Sequence, residues 1–480
     1  MISSVSMRAL AWPLAAALAA CSAPAARPLD PARSAATLRA RSLSDPLLAA
    51  WVREHAPQAA GEWPPAVWDL TSLTLVGFYF QPELAAARAR VAEAEGRVVT
   101  AGTRPNPTLR AEVEHSDDPT EPESPWSVGG ALDVALDPSG HRAHERRAAS
   151  ALAAAERLAL AQSAWDVRRR VRDALVQSLL ASREVELRRA ESEVLDESAR
   201  LLEQRVAAGS VSRPDLDAAR IEALSARQSL AEAEIAADVG RAELARALGL
   251  PPEALAGQSF GLADLEQPPA LPGPDCGSLL DLALIDRLDV RATLHRYDAA
   301  EEALAAAAAQ RFPDLEVSPG YRFDQGQHKF SFGVAAPLPI FNQNEGPIAE
   351  ALARRSEAEA DVVAAQARVL AETTTAWSRY RGELTLLEEA GEQAELARVQ
   401  LEAQQRLVAL GGSDRLVLAG LRRQELVARR LQLETLREAR AAFGALEDAV
   451  QRPLPAGAPP EEWPLGDGAP SVADGAESAP

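Results

Sequence analysis

The stretch Leu315-Glu316-Val317-Ser318-Pro319-Gly320-Tyr321-Arg322-Phe323-Asp324 places Leu315, Val317, Tyr321 and Phe323 on one side of an extended chain. Glu316, Ser318, Arg322 and Asp324 fall on the other. Successive side chains of a strand point to opposite faces, so this is a strand with one apolar and one polar face. The same rule sets Phe330, Phe332, Val334 and Leu338 against Lys329, Ser331, Gly333 and Ala335. It sets Leu109, Ala111 and Val113 against Arg110, Glu112 and Glu114. It also sets Val128, Leu132, Val134 and Leu136 against Ser127, Gly129, Ala131, Asp133 and Ala135. Each segment is about 8–11 residues, the length with which a tilted strand crosses a bilayer. A sandwich edge alternates in the same way. Four strands cannot close a barrel, however, and open edges are not tolerated in lipid. If these strands span a membrane, several chains must share one barrel.

The strands belong to a unit that is written twice. One copy starts near Gln81-Pro82-Glu83-Leu84 and runs to Arg104-Pro105-Asn106-Pro107-Thr108-Leu109. The other starts near Leu279 and runs to Arg311-Phe312-Pro313-Asp314-Leu315. In each, the strands lead into a very long helix, a Gly/Ser turn and a second helix. Pro107 and Gly209 are 102 residues apart, and Pro313 and Gly411 are 98 apart, so the copies are nearly in register. From His141 to about Ala208 there is neither Pro nor Gly; at 1.5 Å per residue such a helix extends roughly 100 Å. The partner helix, from Gly346 to about Leu410, is expected to be interrupted at Gly382 and Gly391. Leu180, Leu187, Val194 and Leu201 recur every seven residues, as in a coiled-coil seam.

The flanks divide by composition. Residues 1–20 carry Arg8 ahead of a short apolar run, the charge order of an export signal. It ends in Leu18-Ala19-Ala20-Cys21, which resembles the bacterial lipobox and implies lipidation of Cys21; an ordinary signal with an incidental Cys is the alternative. Residues 21–65 are rich in Pro and Ala and are expected to form a tether with little structure. The first repeat covers 66–250, a Pro- and Gly-rich connector 251–278, and the second repeat 279–452. Residues 453–480 are expected to be a disordered tail.

Of the 480 residues 47% are hydrophobic but only 4% aromatic, the composition of long helices and not of an aromatic-rich core. A net charge of −20 disfavours nucleic acid. Lys329 is the only lysine, which removes a phosphate-loop lysine and Schiff-base chemistry from nearly the whole chain. Cys21 and Cys276, the only cysteines, can form neither a disulfide framework nor a CxxC site. There is no H-E-x-x-H motif and no phosphate loop, so no catalysis and no cofactor are expected.

From about Val67 to Val450 the chain resembles the TolC-type outer-membrane efflux proteins. The resemblance is carried by Leu73 through Gln81-Pro82-Glu83-Leu84, by Ala94 and Gly102, and by Pro105-Asn106-Pro107. Further along it is carried by Ala207-Ala208-Gly209-Ser210-Val211-Ser212-Arg213-Pro214-Asp215-Leu216 and by Ala247-Leu248-Gly249-Leu250. The run Pro337-Leu338-Pro339-Ile340-Phe341-Asn342-Gln343-Asn344-Glu345-Gly346-Pro347-Ile348-Ala349-Glu350-Ala351 is similar to the strand-to-helix junction of the CzcC-like branch, channels paired with heavy-metal pumps. The resemblance implies a mainly α, internally duplicated fold with a transmembrane β part. A homotrimer would form a 12-stranded barrel, four strands per protomer, above a long periplasmic helical barrel. It also implies contact with outer-membrane lipid, a periplasmic adaptor and an inner-membrane pump of the resistance-nodulation-division type. Multidrug efflux and type I protein secretion share the architecture. A periplasmic adaptor or a structural coiled coil are rivals of another class, and neither has use for doubled strands.

Candidate sites follow from the same comparison. The hairpin tips, with Gly209, Ser212 and Asp215 in the first and Gly411, Ser413 and Asp414 in the second, are implied to meet the adaptor; as bare sequence they are turns. Ser212 and Asp215 form an S-x-x-D cap pattern, and Ser413 is expected to cap the second return. Members of the family often close the entrance with acidic residues after the second tip. Here Leu416 and Ala419 stand there, so a hydrophobic constriction is as open as an acidic ring. His141 and His144 share a helix face and permit metal ligation, but a polar helix start is the expected role and no metal site is assigned. Trp126 and Tyr321 suit an interfacial aromatic belt, and Tyr321 suits barrel packing equally. Arg168-Arg169-Arg170 is expected to be a solvated face beside Asp166 and Asp173.

Overall fold

The structure, a computed structural model, describes residues 28–59, 63–115, 126–270, 273, 276–324, 326–412, 414–454 and 459–466. Cys21 and the export signal lie outside the described residues, as does Ser413. The chain begins with α1 (Pro31–Ala40), α2 (Pro46–His55), α3 (Leu70–Phe80) and α4 (Pro82–Gly102). The first strand pair, β1 (Thr108–His115) and β2 (Trp126–Leu136), leads into α5 (His141–Ala207) and α6 (Arg213–Leu248). The second half repeats the order with α7 (Gly277–Asp286), α8 (Leu288–Ala309), β3 (Leu315–Asp324), β4 (Gln327–Ala335), α9 (Glu345–Ala409) and α10 (Arg415–Val450).

The strands form one four-stranded antiparallel sheet in the order β1-β2-β3-β4. Leu109 lies opposite Leu132, Val113 opposite Val128, Val128 opposite Phe323, and Tyr321 opposite Phe330. The register therefore gathers the predicted apolar positions that lie within the sheet on one face, and most of that face is exposed in the single chain. On the other face Arg110 reaches Asp133 at 3.0 Å, and Ser318 donates to Asp133 at 2.6 Å. Leu338 is not part of the sheet: β4 ends at Ala335, because Pro337 and Pro339 have no N–H to continue the ladder. Among the described residues β1 and β4 pair on one side only and form the two edges of the sheet.

Helix α5 is 67 residues long and α9 is 65. Gly382 and Gly391 do not interrupt α9. An interior glycine costs about 1 kcal/mol in a helix, and packing along α9 outweighs it; at Gly391 an added Cβ would lie 3.5 Å from Gln432. The heptad seam is the joint between the two hairpins. Leu180 packs with Leu433 and Leu436, and Val194 packs with Ala419 and Leu426, all on α10.

Two expectations from composition are corrected. Residues 31–55 are not an unstructured tether. Asp30-Pro31 and Asp45-Pro46 start α1 and α2, with each Asp side chain capping the backbone and each Pro in the first turn. Leu48, Trp51 and Val52 enter the main core with Trp68, Leu73, Val76 and Phe78. Arg41 donates to the carbonyls of Phe80 and Gly249 at 3.0 and 2.9 Å, binding this segment to the helix ends. The tail is not wholly loose either, since Trp463 stacks on Trp165 at 5.7 Å and lies 5.5 Å from Phe78. Both pieces wrap the middle of the molecule. The connector joins them there through Trp68, whose indole N–H donates to Gln258 at 3.0 Å.

Candidate functional site

Both hairpin tips close with the same turn. At the end of α5, Gly209 has φ +68, Ser210 N donates to Arg205 O at 2.9 Å and Gly209 N to Val206 O at 3.0 Å. At the end of α9, Gly411 has φ +72, Gly412 N donates to Leu407 O at 2.9 Å and Gly411 N to Val408 O at 3.0 Å. Left-handed backbone at this position satisfies the last helical carbonyls, and glycine adopts it without a Cβ penalty.

The returning helices begin differently. Ser212 occupies the cap position of α6, yet its hydroxyl donates to Asp215 Oδ2 at 2.5 Å and makes no cap bond to the backbone. Asp215 lies in the first turn, where its charge favours the helix N-terminus. At the second tip the cap is Asp414, which accepts from Leu416 N at 3.1 Å, so the role expected of Ser413 falls to its neighbour. The other Asp414 oxygen accepts from the Arg205 guanidinium. That ion pair links tip one to tip two within the protomer. The Arg205 guanidinium, aided by the N–H of Leu416, holds the Asp414 carboxyl below the usual carboxylate range.

Of the two gate candidates, Leu416 is half-buried, and Ala419 is buried against Val194 and Leu426. Ala419 therefore faces α5 inside the protomer. Apolar groups that are exposed near this end include Leu407, Leu410 and Val417. His141 and His144 do not converge on one point: His144 Nδ1 meets Glu302 at 2.7 Å, whereas His141 Nδ1 meets Asp137 at 3.1 Å. Among the described residues, Asp137, His141 and Asp314 are the group whose ligand atoms lie close enough to hold a metal ion.

The family described as Outer membrane efflux protein matches residues 81–250 and 279–450, both copies of the duplicated unit and well over half of the chain. The chain belongs to the outer membrane efflux protein family. Cobalt-zinc-cadmium resistance protein CzcC of Cupriavidus metallidurans is 27% identical over 285 residues, covering 58% of this chain and 65% of CzcC. The chain thus spans somewhat less than two thirds of that curated relative. The outer membrane protein VceC of Vibrio cholerae superposes with a TM-score of 0.63 at 21% identity, covering 84% of this chain and 98% of VceC. CusC, solved in a study of folding and transmembrane channel formation, superposes with a TM-score of 0.64 at 17% identity, covering 81% and 94%. The fold is therefore that of outer-membrane channels: mostly helical, with a small antiparallel sheet. Among the described residues no helix is long and apolar enough to cross a membrane.

Two features of the chain were not legible in its sequence. Arg168 and Arg172 are not on a solvated face; they are buried, and Arg172 meets Glu447 and Asp448 at 2.9 Å each while Arg168 meets Glu447 at 3.2 Å. Their i, i+4 spacing was visible, but the acids that receive them lie on α10, in the other repeat. The Arg205–Asp414 link was hidden for the same reason.

Proposed function

We propose that three copies of this chain form a passive outer-membrane channel through which divalent heavy-metal cations leave the cell. One observation carries the reading: a four-stranded sheet with a mostly exposed apolar face and two edge strands is joined to helices of 67 and 65 residues. Free edges are not tolerated in lipid. Three sheets make twelve strands, enough to close around a lumen. Apolar side chains left exposed along the helices support the same assembly. Ile221, Leu224, Ile235 and Val239 on α6, and Val363 and Leu396 on α9, are exposed in one copy and become buried when copies pack side by side.

The hairpins extend into the periplasm as a tunnel. A periplasmic adaptor meets the tips at Gly209–Asp215 and Gly411–Asp414, and an inner-membrane pump of the resistance-nodulation-division type supplies the driving energy. Cys21 carries the lipid anchor. The channel closes on apolar groups near the tips, with Leu416, Val417 and Leu410 the candidates. Similarity to CzcC and the Pro337–Ala351 junction support metal as cargo. The test is deletion of the gene and measurement of tolerance to cobalt, zinc, cadmium, cuprous ion and drugs, with complementation. Sensitivity to divalent metals alone is expected. Sensitivity to drugs alone overturns the cargo, and unchanged tolerance to all, in a strain without a redundant channel, overturns efflux.

A further inference from the structure

Strands β2 and β3 are the seam between the two repeats, and their register ends with Leu136 opposite Leu315. One step further along the same ladder, Asp137 from the first repeat comes opposite Asp314 from the second. His141, in the first turn of α5, closes the triangle: its Nδ1 lies 3.1 Å from Asp137 Oδ1 and 3.6 Å from Asp314 Oδ1. The three ligand atoms all lie within 4.8 Å of one another. Zinc bonded to N and O at its usual lengths in a tetrahedron sets ligand atoms about 3.3–3.5 Å apart. The two His141 distances bracket that edge, so only small side-chain shifts bring the atoms onto one ion.

Of the three ligand atoms, His141 Nδ1 lies within hydrogen-bond distance of Asp137 Oδ1 and of Ser139 Oγ, at 3.1 and 3.2 Å, and only Asp314 Oδ1 is left over. Asp314 Oδ1 is buried and has no hydrogen-bond partner, while its Oδ2 accepts from Arg142 at 2.5 Å. Asp137 is locked from outside the triangle. Gly140 N and the Ser139 hydroxyl donate to Oδ1 at 2.7 and 2.9 Å, and Arg142 N donates to Oδ2 at 3.1 Å. An aspartate carboxylate is ionised at neutral pH. That of Asp137 also offsets the positive end of α5, which would otherwise oppose a cation. One imidazole and two carboxylates suit zinc or cobalt; magnesium and calcium prefer all-oxygen shells.

We propose that Asp137, His141 and Asp314 form a three-ligand site for a divalent transition-metal ion, with water completing the shell. The ion clamps the first repeat to the second at the point where strands become helices. The site is a property of the resting protein and does not depend on metal being the exported cargo.

The test is binding to the purified full chain in detergent after treatment with a chelator. Zinc is titrated by calorimetry, and cobalt by its ligand-field absorption. One ion per chain is expected, undisplaced by excess magnesium, with a tetrahedral cobalt spectrum. His141→Ala and the isosteric Asp314→Asn each weaken binding at least tenfold while circular dichroism stays unchanged, and His144→Ala, one turn along, leaves binding intact. Absence of stoichiometric zinc in the parent, or equal affinity in His141→Ala, overturns the site. Neither result touches the tolerance experiment, so failure of the site and failure of the efflux reading are told apart.

Discussion

Glu447 is 2% exposed and faces two guanidinium groups, Arg168 at 3.2 Å and Arg172 at 2.9 Å. Removing one partner of a buried pair strands the other charge, at a cost of about 3–5 kcal/mol. Glu447→Ala is therefore expected to lower unfolding free energy by about that amount, measured from the urea dependence of helical circular dichroism. A loss under about 1 kcal/mol would mean that water solvates the arginines. Asp414 titrates in the opposite setting, on the surface. Its folded carboxyl is held below the ordinary range by Arg205. A depressed folded value means the link contributes fully above the unfolded carboxylate's ~3.9 and is lost as pH falls through the lower folded value. Spin labels on the two tips should keep a constant separation from pH 7 to about 4 and move apart only in stronger acid. Separation already between pH 7 and 5 contradicts the link. Neither contact was legible in the sequence, because periodicity shows which face a residue occupies and not which distant helix covers it.

Elements were legible where a local rule acts alone. The alternation of Leu315 to Phe323 and the uninterrupted run from His141 show directly as strand and helix. Where two rules competed, composition misled. The Pro and Ala content of residues 28–59 hid the Asp-Pro starts of α1 and α2, and the alternation continuing to Leu338 hid the prolines that end β4. Glycine positions sort the same way. Gly249 has φ +73, and a Cβ there would lie 3.1 Å from the Phe80 carbonyl oxygen. Gly382 has ordinary helical backbone and nothing within 4 Å. Gly249→Ala is expected to destabilise by about 1–3 kcal/mol, from backbone strain and crowding. Gly382→Ala is expected to stabilise by up to about 1 kcal/mol. Thermal melts of the two variants check both signs; a neutral Gly249→Ala would mean that α3 and α6 slide apart freely.

The whole molecule makes sense only as part of a larger one. Its sheet is apolar on one face, with β1 and β4 at its edges, and its helices α6 and α9 leave Ile221, Leu224, Ile235 and Val363 exposed. The sequence carried this conclusion through the count of strands, since four are too few to enclose anything. It did not carry the wrapped middle of the molecule, where residues 28–59, the connector and Trp463 meet over α3; that assembly depends on contacts between segments far apart in the chain. The tips, the gate and the cargo all presuppose a closed ring of copies. The most direct test is therefore the native mass of the detergent-extracted protein. Three chains per particle are expected, resistant to dilution. A stable monomer that still inserts in lipid bilayers would contradict the account, because its strand edges would then lie unpaired in hydrocarbon.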